Sequence, residues 1–292
     1  MGSQTSYRAP VTSVNRKNIA AAKAWIFVTR ALLRLLWTAD RLLCYILPLK
    51  AFRMRLDGYR KADADLLHLA ALLKMSARGL PPTGNCAGSS DFLLLIARLI
   101  LSERPEVVVE FGSGVSSFVI ARCLEINGAG RLISFDHSPS FAELTRRQLA
   151  RQRLSADIRV VPLRPARGPR QPGFWYDAGD LPDAIDLIIV DGPPASLHPE
   201  TRSGAGPATF AKLRKGGMVL LDDACRPGER KIVSRWREDY PEIQFTHFDT
   251  LKGTVVGHRI GVGEVPSLST AARKTLMPRE TFSIAAQGVL VA

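Results

Sequence analysis

Residues Val107 to Ser117 read VVVEFGSGVSS. A short apolar run ends in an acid, Glu110. Gly112 and Gly114 follow, and Ser116 and Ser117 open the next segment. This order predicts a buried strand, a tight turn and a helix, the unit from which alternating α/β folds are built. Glycine is needed in the turn because a ligand can approach the backbone only where no Cβ intrudes. The helix N-terminus then offers N–H groups to a polar or anionic ligand. A G-x-G-x-x-G dinucleotide fingerprint needs Gly or Ala at 117, where this chain has Ser117. Pyrophosphate is therefore disfavoured, and the E-x-G-x-G ending suits a nucleoside ligand without phosphates.

The same alternation continues downstream. Helices are predicted over Ala64–Ser76, Phe92–Leu101 and Ser116–Asn127, another from Pro139, and one over Glu229–Glu238. Ser140 and Glu143 suggest a capping box in the fourth of these. Strands are predicted at Val107–Glu110, Leu132–Phe135, Ile158–Val161, Leu187–Val190 and Met218–Leu221, then a final antiparallel pair, Ile243–Phe248 and Gly253–Ile260. Short apolar strands alternating with helices imply a doubly wound, mostly parallel sheet covered on both faces. In such sheets ligands lie across the carboxyl ends of the strands. Glu110, Asp136, Asp191, Asp222 and Asp223 all sit there. Asp136 follows Gly112 by 24 residues, the distance at which an acid after the second strand reaches a ribose diol bound over the first turn.

The segments EFGSG, SFDHS, DLIIVDGPP and LRKGGMVLLDDACRPGER together resemble the class I S-adenosylmethionine-dependent methyltransferases, within them the bacterial family 24 group, over Pro105 to Gly261. The resemblance implies a seven-stranded Rossmann-like sheet and S-adenosylmethionine (SAM) as cofactor. It implies that Glu110, Gly112 and Gly114 line the methionine end, with Ser113 and Ser116 also at the cofactor. Asp136 would bind the ribose hydroxyls, with His137 and Asp191 also at the cofactor and adenine near Leu163 or Arg164. The implied reaction is O-methylation of a small hydroxylated acceptor such as a sugar, glycolipid or secondary metabolite. Asp191, Asp222 and His198 are the catalytic candidates. Similarity to metal-dependent relatives implies Mg2+ on Asp191, Asp222 and Asp223, three hard oxygen ligands. Sugar-modifying relatives usually carry D-G-D, where this chain has Pro193.

Two loops flank these positions. Arg164 to Ala184 is long, rich in Pro, Gly and Arg, and contains Phe174-Trp175-Tyr176, aromatics suited either to an acceptor wall or to packing the loop on the sheet. His198 to Pro207 is Gly-rich and carries Arg202. Arg226, Glu229 and Arg230 match the family's R..E segment.

Charge is uneven. Of the net +13, residues 1–62 hold +10, from twelve Lys or Arg against Asp40 and Asp57. The rest of the chain is nearly neutral, which argues against nucleic acid as its partner. Residues 18–47 read as one helix with Arg30, Arg34 and Arg41 on a basic stripe opposite Leu32, Leu36 and Leu43. Either an anionic membrane surface binds residues 16–47, or the apolar face packs on the main domain. Within residues 1–62 the longest charge-free run, the eight residues Leu42 to Leu49, is far below the roughly 20 needed to span a bilayer. Cys44, Cys86, Cys123 and Cys225 are scattered without metal spacing, as expected of reduced thiols. The expected organisation is a helical extension over 1–80, a cofactor-binding domain over 81–264 and an unassigned tail over 265–292, in a cytoplasmic protein peripheral at the membrane. Two other classes stay open: a nicotinamide-dependent oxidoreductase, and a non-catalytic membrane-associated adaptor.

Overall fold

The computed structural model describes residues 63–81, 88–166 and 172–260. All of them fall within one contact unit, Lys61–Ala292. The basic helix expected over 18–47 and the tail over 265–292 lie outside the described residues. Among those described, no helix is long and apolar enough to cross a membrane.

The chain opens with α1 (63–72), which stops four residues before the expected Ser76, with Lys74 in a left-handed conformation at φ 51°. Leu69 and Leu73 are buried in the main core, and the Leu73 carbonyl accepts from Arg122 Nε at 2.9 Å. Helix α1 thus packs into the same core as the helices Ser90–Glu103 and Val115–Asn127. Helix α2 (Ser90–Glu103) starts from Ser89, whose hydroxyl donates to Asp91 Oδ1 at 2.6 Å. Asp91 also accepts Phe92 N–H, satisfying a backbone donor of the first turn.

From there β1 (Val107–Phe111), α3 (Val115–Asn127), β2 (Arg131–Asp136), α4 (Pro139–Arg151) and β3 (Asp157–Val160) alternate as expected. Ser138, not Ser140, caps α4, and Pro139 takes the first helical position, where its missing N–H costs nothing. Glu143 pairs instead with Arg147 at 2.8 Å, so the expected capping box does not form. The long loop after β3 holds a hairpin, β4 (Leu163–Pro165) and β5 (Phe174–Tyr176), which forms its own two-stranded sheet. Then follow β6 (Ile185–Val190), a short helix α5 (Ala205–Thr209), β7 (Leu213–Leu221), α6 (Pro227–Asp239), β8 (Ile243–Phe248) and β9 (Thr254–Arg259).

The main sheet has seven strands in the order β3-β2-β1-β6-β7-β9-β8. β9 runs antiparallel to both its neighbours, and the other pairings are parallel. Alternate side chains face opposite layers. Val108, Leu132, Ile189 and Leu220 pack under α2, α3 and α4, and Val109, Ile133, Ile188 and Val219 pack against α6 and the hairpin. Each fully buried aliphatic contributes roughly 1.5–3 kcal/mol, so the two layers pin the register of the strands between them. Register then determines the upper edge of the sheet. Phe111 pairs with Phe135 and with Val190, and Val190 pairs with Leu221. The residues that follow, Gly112, Asp136, Asp191 and Asp222, therefore stand in one row.

Candidate functional site

Glu110 lies on the face of β1 covered by α3 and is fully buried. Ser117 Oγ donates to its Oε2 at 2.5 Å and Ser134 Oγ at 2.7 Å. Ser117 Oγ also accepts Gly114 N–H at 3.0 Å, so one hydroxyl ties the helix start to the acid below it. Oε1 of Glu110 is buried without a partner. Burial pushes the Glu110 carboxyl up to about 7, against the hydroxyls of Ser116, Ser117 and Ser134, which favour its charged form.

Gly112 has φ 99°, and a Cβ there would come within 2.9 Å of Gly192 N. The turn after β1 thus lies directly against the turn after β6, and Phe111 O accepts the N–H groups of both Asp191 and Gly192. A Cβ on Gly114 would meet nothing within 4 Å, which leaves open space over the turn.

Asp136 closes the other side of that space. Its Oδ2 accepts Ser113 Oγ at 2.6 Å and Ser113 N–H at 3.0 Å, and its Oδ1 accepts Ser138 N–H at 2.8 Å. Each carboxylate oxygen can accept more than one hydrogen bond, so the group is oriented while acceptor capacity remains. His137 Nδ1 lies 3.6 Å from Asp136 Oδ1, and its ring meets the Tyr176 ring edge-on at 6.2 Å.

The third part of the site is acidic. One carboxylate oxygen from each of Asp191, Asp222 and Asp223 lies within 4.8 Å of the others, the clustering expected of a metal site. Asp222 and Asp223 are buried; the Asp191 side chain retains 16% exposure. Burial raises both Asp191 and Asp222 above the usual carboxylate range, and the neighbouring acids raise them further. For Asp191 the Arg202 guanidinium opposes the rise. Neither oxygen of Asp222 has a hydrogen-bond partner.

Arg202 stands in the middle of this cluster, 3% exposed. Its Nη2 donates to Asp191 O at 2.6 Å and lies 3.0 Å from Asp223 Oδ2 and 3.5 Å from Asp191 Oδ1. Nη1 donates to Asp222 O at 3.0 Å and lies 3.8 Å from Glu229 Oε1; Nε donates to Pro193 O at 3.3 Å. Burial works against its charge, but the surrounding acids outweigh that and keep it protonated. Glu229 is buried with no hydrogen bond to either oxygen, and burial pushes its carboxyl up.

The structure thus brings together all the expected site residues except His198. His198 Nδ1 accepts Glu200 N–H at 3.1 Å, and its Cβ packs on Gly173. These contacts tie it to its own loop. Arg202 and Tyr176 are the residues that sequence reasoning undervalued. Tyr176 is buried, its ring 5.5 Å from Phe111, and a Cβ on Gly192 would strike its hydroxyl. It also lines a cavity of about 870 Å3 with Arg164, Trp175, Asp177, Gly204 and Pro207. That cavity lies beside the hairpin and is lined by none of Asp191, Asp222 and Asp223.

Residues 109–224 match the model of a methyltransferase domain, family 24 of that group. No curated protein matches the chain. Among solved structures, it is similar to the SAH-bound methyltransferase of Podospora anserina, at 14% identity over 72% of this chain and 96% of that one, TM-score 0.46. An O-methyltransferase from Bacillus cereus in complex with SAH matches at 17% identity, 67% and 90% coverage and TM-score 0.45. The SAM-bound O-methyltransferase TomG of Streptomyces achromogenes, involved in tomaymycin synthesis, matches at 20% identity, 68% and 90% coverage and TM-score 0.43.

Proposed function

We infer that this chain, whose residues 109–224 match the model of a methyltransferase domain, is a SAM-dependent methyltransferase that methylates a hydroxyl of a small-molecule acceptor. The observation that carries the reading is the row of strand ends. A buried unpartnered oxygen of Glu110, the open space over Gly114 and the oriented carboxylate of Asp136 adjoin a partly exposed acid, Asp191. These residues fit the cofactor. Glu110 offers an acceptor to an ammonium group, and Asp136 offers one to a ribose diol.

When bound, SAM supplies a methyl group already activated on a sulfonium, so the chain's task is alignment and proton removal. Asp191 is the base in this reading. Of the three acids it is the most exposed, and its raised proton affinity brings it nearer to neutral pH, where a general base works best. Asp222 and Asp223 lie behind it and shape its field. A divalent ion does not fit these acids as they stand, because arginines already pair with Asp191 and Asp223. No step here runs through a metal.

Calorimetric titration with SAM and with NAD tests the cofactor. Asp136→Ala should weaken SAM binding by roughly 1.5–3 kcal/mol, the worth of hydrogen bonds to a charged group, which is about 10- to 150-fold. SAM binding unchanged in the variant would refute the role of Asp136. NAD bound more tightly than SAM would favour the oxidoreductase, against which Ser117 stands, engaged with Glu110 and Gly114 where the fingerprint needs a small residue.

A further inference from the structure

We propose that Arg202 is the resident cation of the acidic cluster, a positioning residue that takes the place and neutralises the charge a divalent ion would otherwise hold. From the methyltransferase reading the proposal borrows only the location of the site. Three carboxylates converging within 4.8 Å are unstable without a counter-charge, and the guanidinium provides it from inside. One nitrogen, Nη2, lies within 3.5 Å of both Asp191 Oδ1 and Asp223 Oδ2. An ion bound to that Asp223 oxygen at about 2.1 Å would sit within roughly 5 Å of Nη2 and be repelled by it. Asp223 is also held by Arg226 Nη1 at 2.9 Å, and Lys252 Nζ lies 4.0 Å from its other oxygen. Of the three acids only Asp222 is unpartnered, and it is fully buried, whereas magnesium usually keeps several waters.

The guanidinium also does what an ion bound to carboxylates alone would not. It donates to the backbone carbonyls of Asp191 and Pro193 on one side and of Asp222 on the other. The turn after β6 and the turn after β7 are thereby clasped in one register, with the Asp191 carboxylate set at the mouth. Planar, forked donation of this kind is a property of arginine that lysine lacks.

Manganese titration followed by electron paramagnetic resonance tests the proposal without an acceptor. The wild-type protein should bind no Mn2+ at the cluster up to about 1 mM. Arg202→Met, which keeps the bulk and removes the charge, should bind it at least about tenfold more tightly. Arg202→Lys, which keeps the charge, should still exclude it. Wild-type binding below 1 mM that Asp222→Asn abolishes would overturn the proposal, as would equal Mn2+ binding by the Met and Lys variants. If Arg202→Met melts out, the wild-type titration alone decides. SAM titrated into the same wild-type sample tests the cofactor reading separately, so either idea can fail without the other.

Discussion

Asp191→Asn lowers kcat by roughly 10²- to 10⁴-fold, the usual worth of a positioned general base, while the SAM dissociation constant stays within about threefold of wild type. Asn keeps the shape of the side chain and both backbone contacts, Asp191 N–H to Phe111 O and Asp191 O to Arg202. Only the ability to take a proton is lost. Transfer of labelled methyl from SAM to a panel of phenols and sugars measures it, and a variant with wild-type turnover would remove Asp191 from the mechanism. The pH profile carries the same signature. A base acts when ionised, so kcat rises with pH as Asp191 gives up its proton. Burial lifts that step above the usual carboxylate range, and Arg202 limits the lift. The rising limb should therefore lie above the ordinary aspartate range near pH 4.

Glu110→Gln should act in opposite directions on the empty and the loaded protein. The Gln carbonyl can accept from Ser117 and Ser134 as Oε2 does now, and its amide NH2 then takes the position of the unpartnered Oε1. A cationic group of the cofactor meets a donor there instead of an acceptor. SAM binding should weaken by about 10- to 150-fold, the range for a hydrogen bond to a charged group. Stability should move the other way. Glu110 titrates near its ordinary 4.5 in the unfolded chain and near about 7 in the folded one. The folded state thus holds the proton more tightly, and stability falls as pH rises from 4.5 to 7. Gln carries no such penalty. Above about pH 7 the variant should be more stable by up to about 3 kcal/mol, an order-of-magnitude figure from the shift. Thermal melts at pH 5 and pH 8 compare the two. Equal melting of wild type and variant at pH 8 would mean that folding does not raise the proton affinity of Glu110, and unchanged SAM affinity would remove it from the cofactor site.

The features legible in the sequence are those set by neighbours along the chain. An apolar run ending in an acid and two glycines announces a strand and its turn, and β1, β2, β6 and β7 end where Glu110, Asp136, Asp191 and Asp222 place them. Aligning those ends into one row needed only the parallel order that the alternation implies. The cluster around Arg202 was not legible. Its partners lie at Asp191, Asp223 and Glu229, on three separate segments, and nothing beside Arg202 in the sequence marks it as buried. The strand ends give the acids and the resemblance adds a metal to them, because the counter-charge comes from a loop with no motif. Three-residue strands such as β4 and β5 are too short to show a period, so the hairpin was read as loop. His198 looked catalytic by its place after the β6 turn, yet its ring nitrogen serves its own loop.

The hairpin has a consequence for how such an enzyme can change its clientele. β4 and β5 pair only with each other, and Ala166 N–H to Gly173 O and Asp177 N–H to Pro162 O keep further hydrogen bonds inside the loop. Among the described residues the main sheet lends it no backbone-to-backbone bond. It is held by Thr201 Oγ1, which accepts Phe174 N–H and donates to Phe174 O, and by Trp175 and Tyr176, tilted against Phe111 at 4.8 and 5.5 Å, with Gly204 pressed against the indole. A loop fastened at Phe174, Trp175 and Tyr176 can be lengthened, shortened or exchanged outside these three residues at little expense, since doubling a loop costs only about 0.6 kcal/mol of closure entropy. The segment between the anchors and the sheet is therefore the place where a breeder of new specificities would cut. The residues proposed to hold the methyl donor stay behind, on β1, β2 and β6.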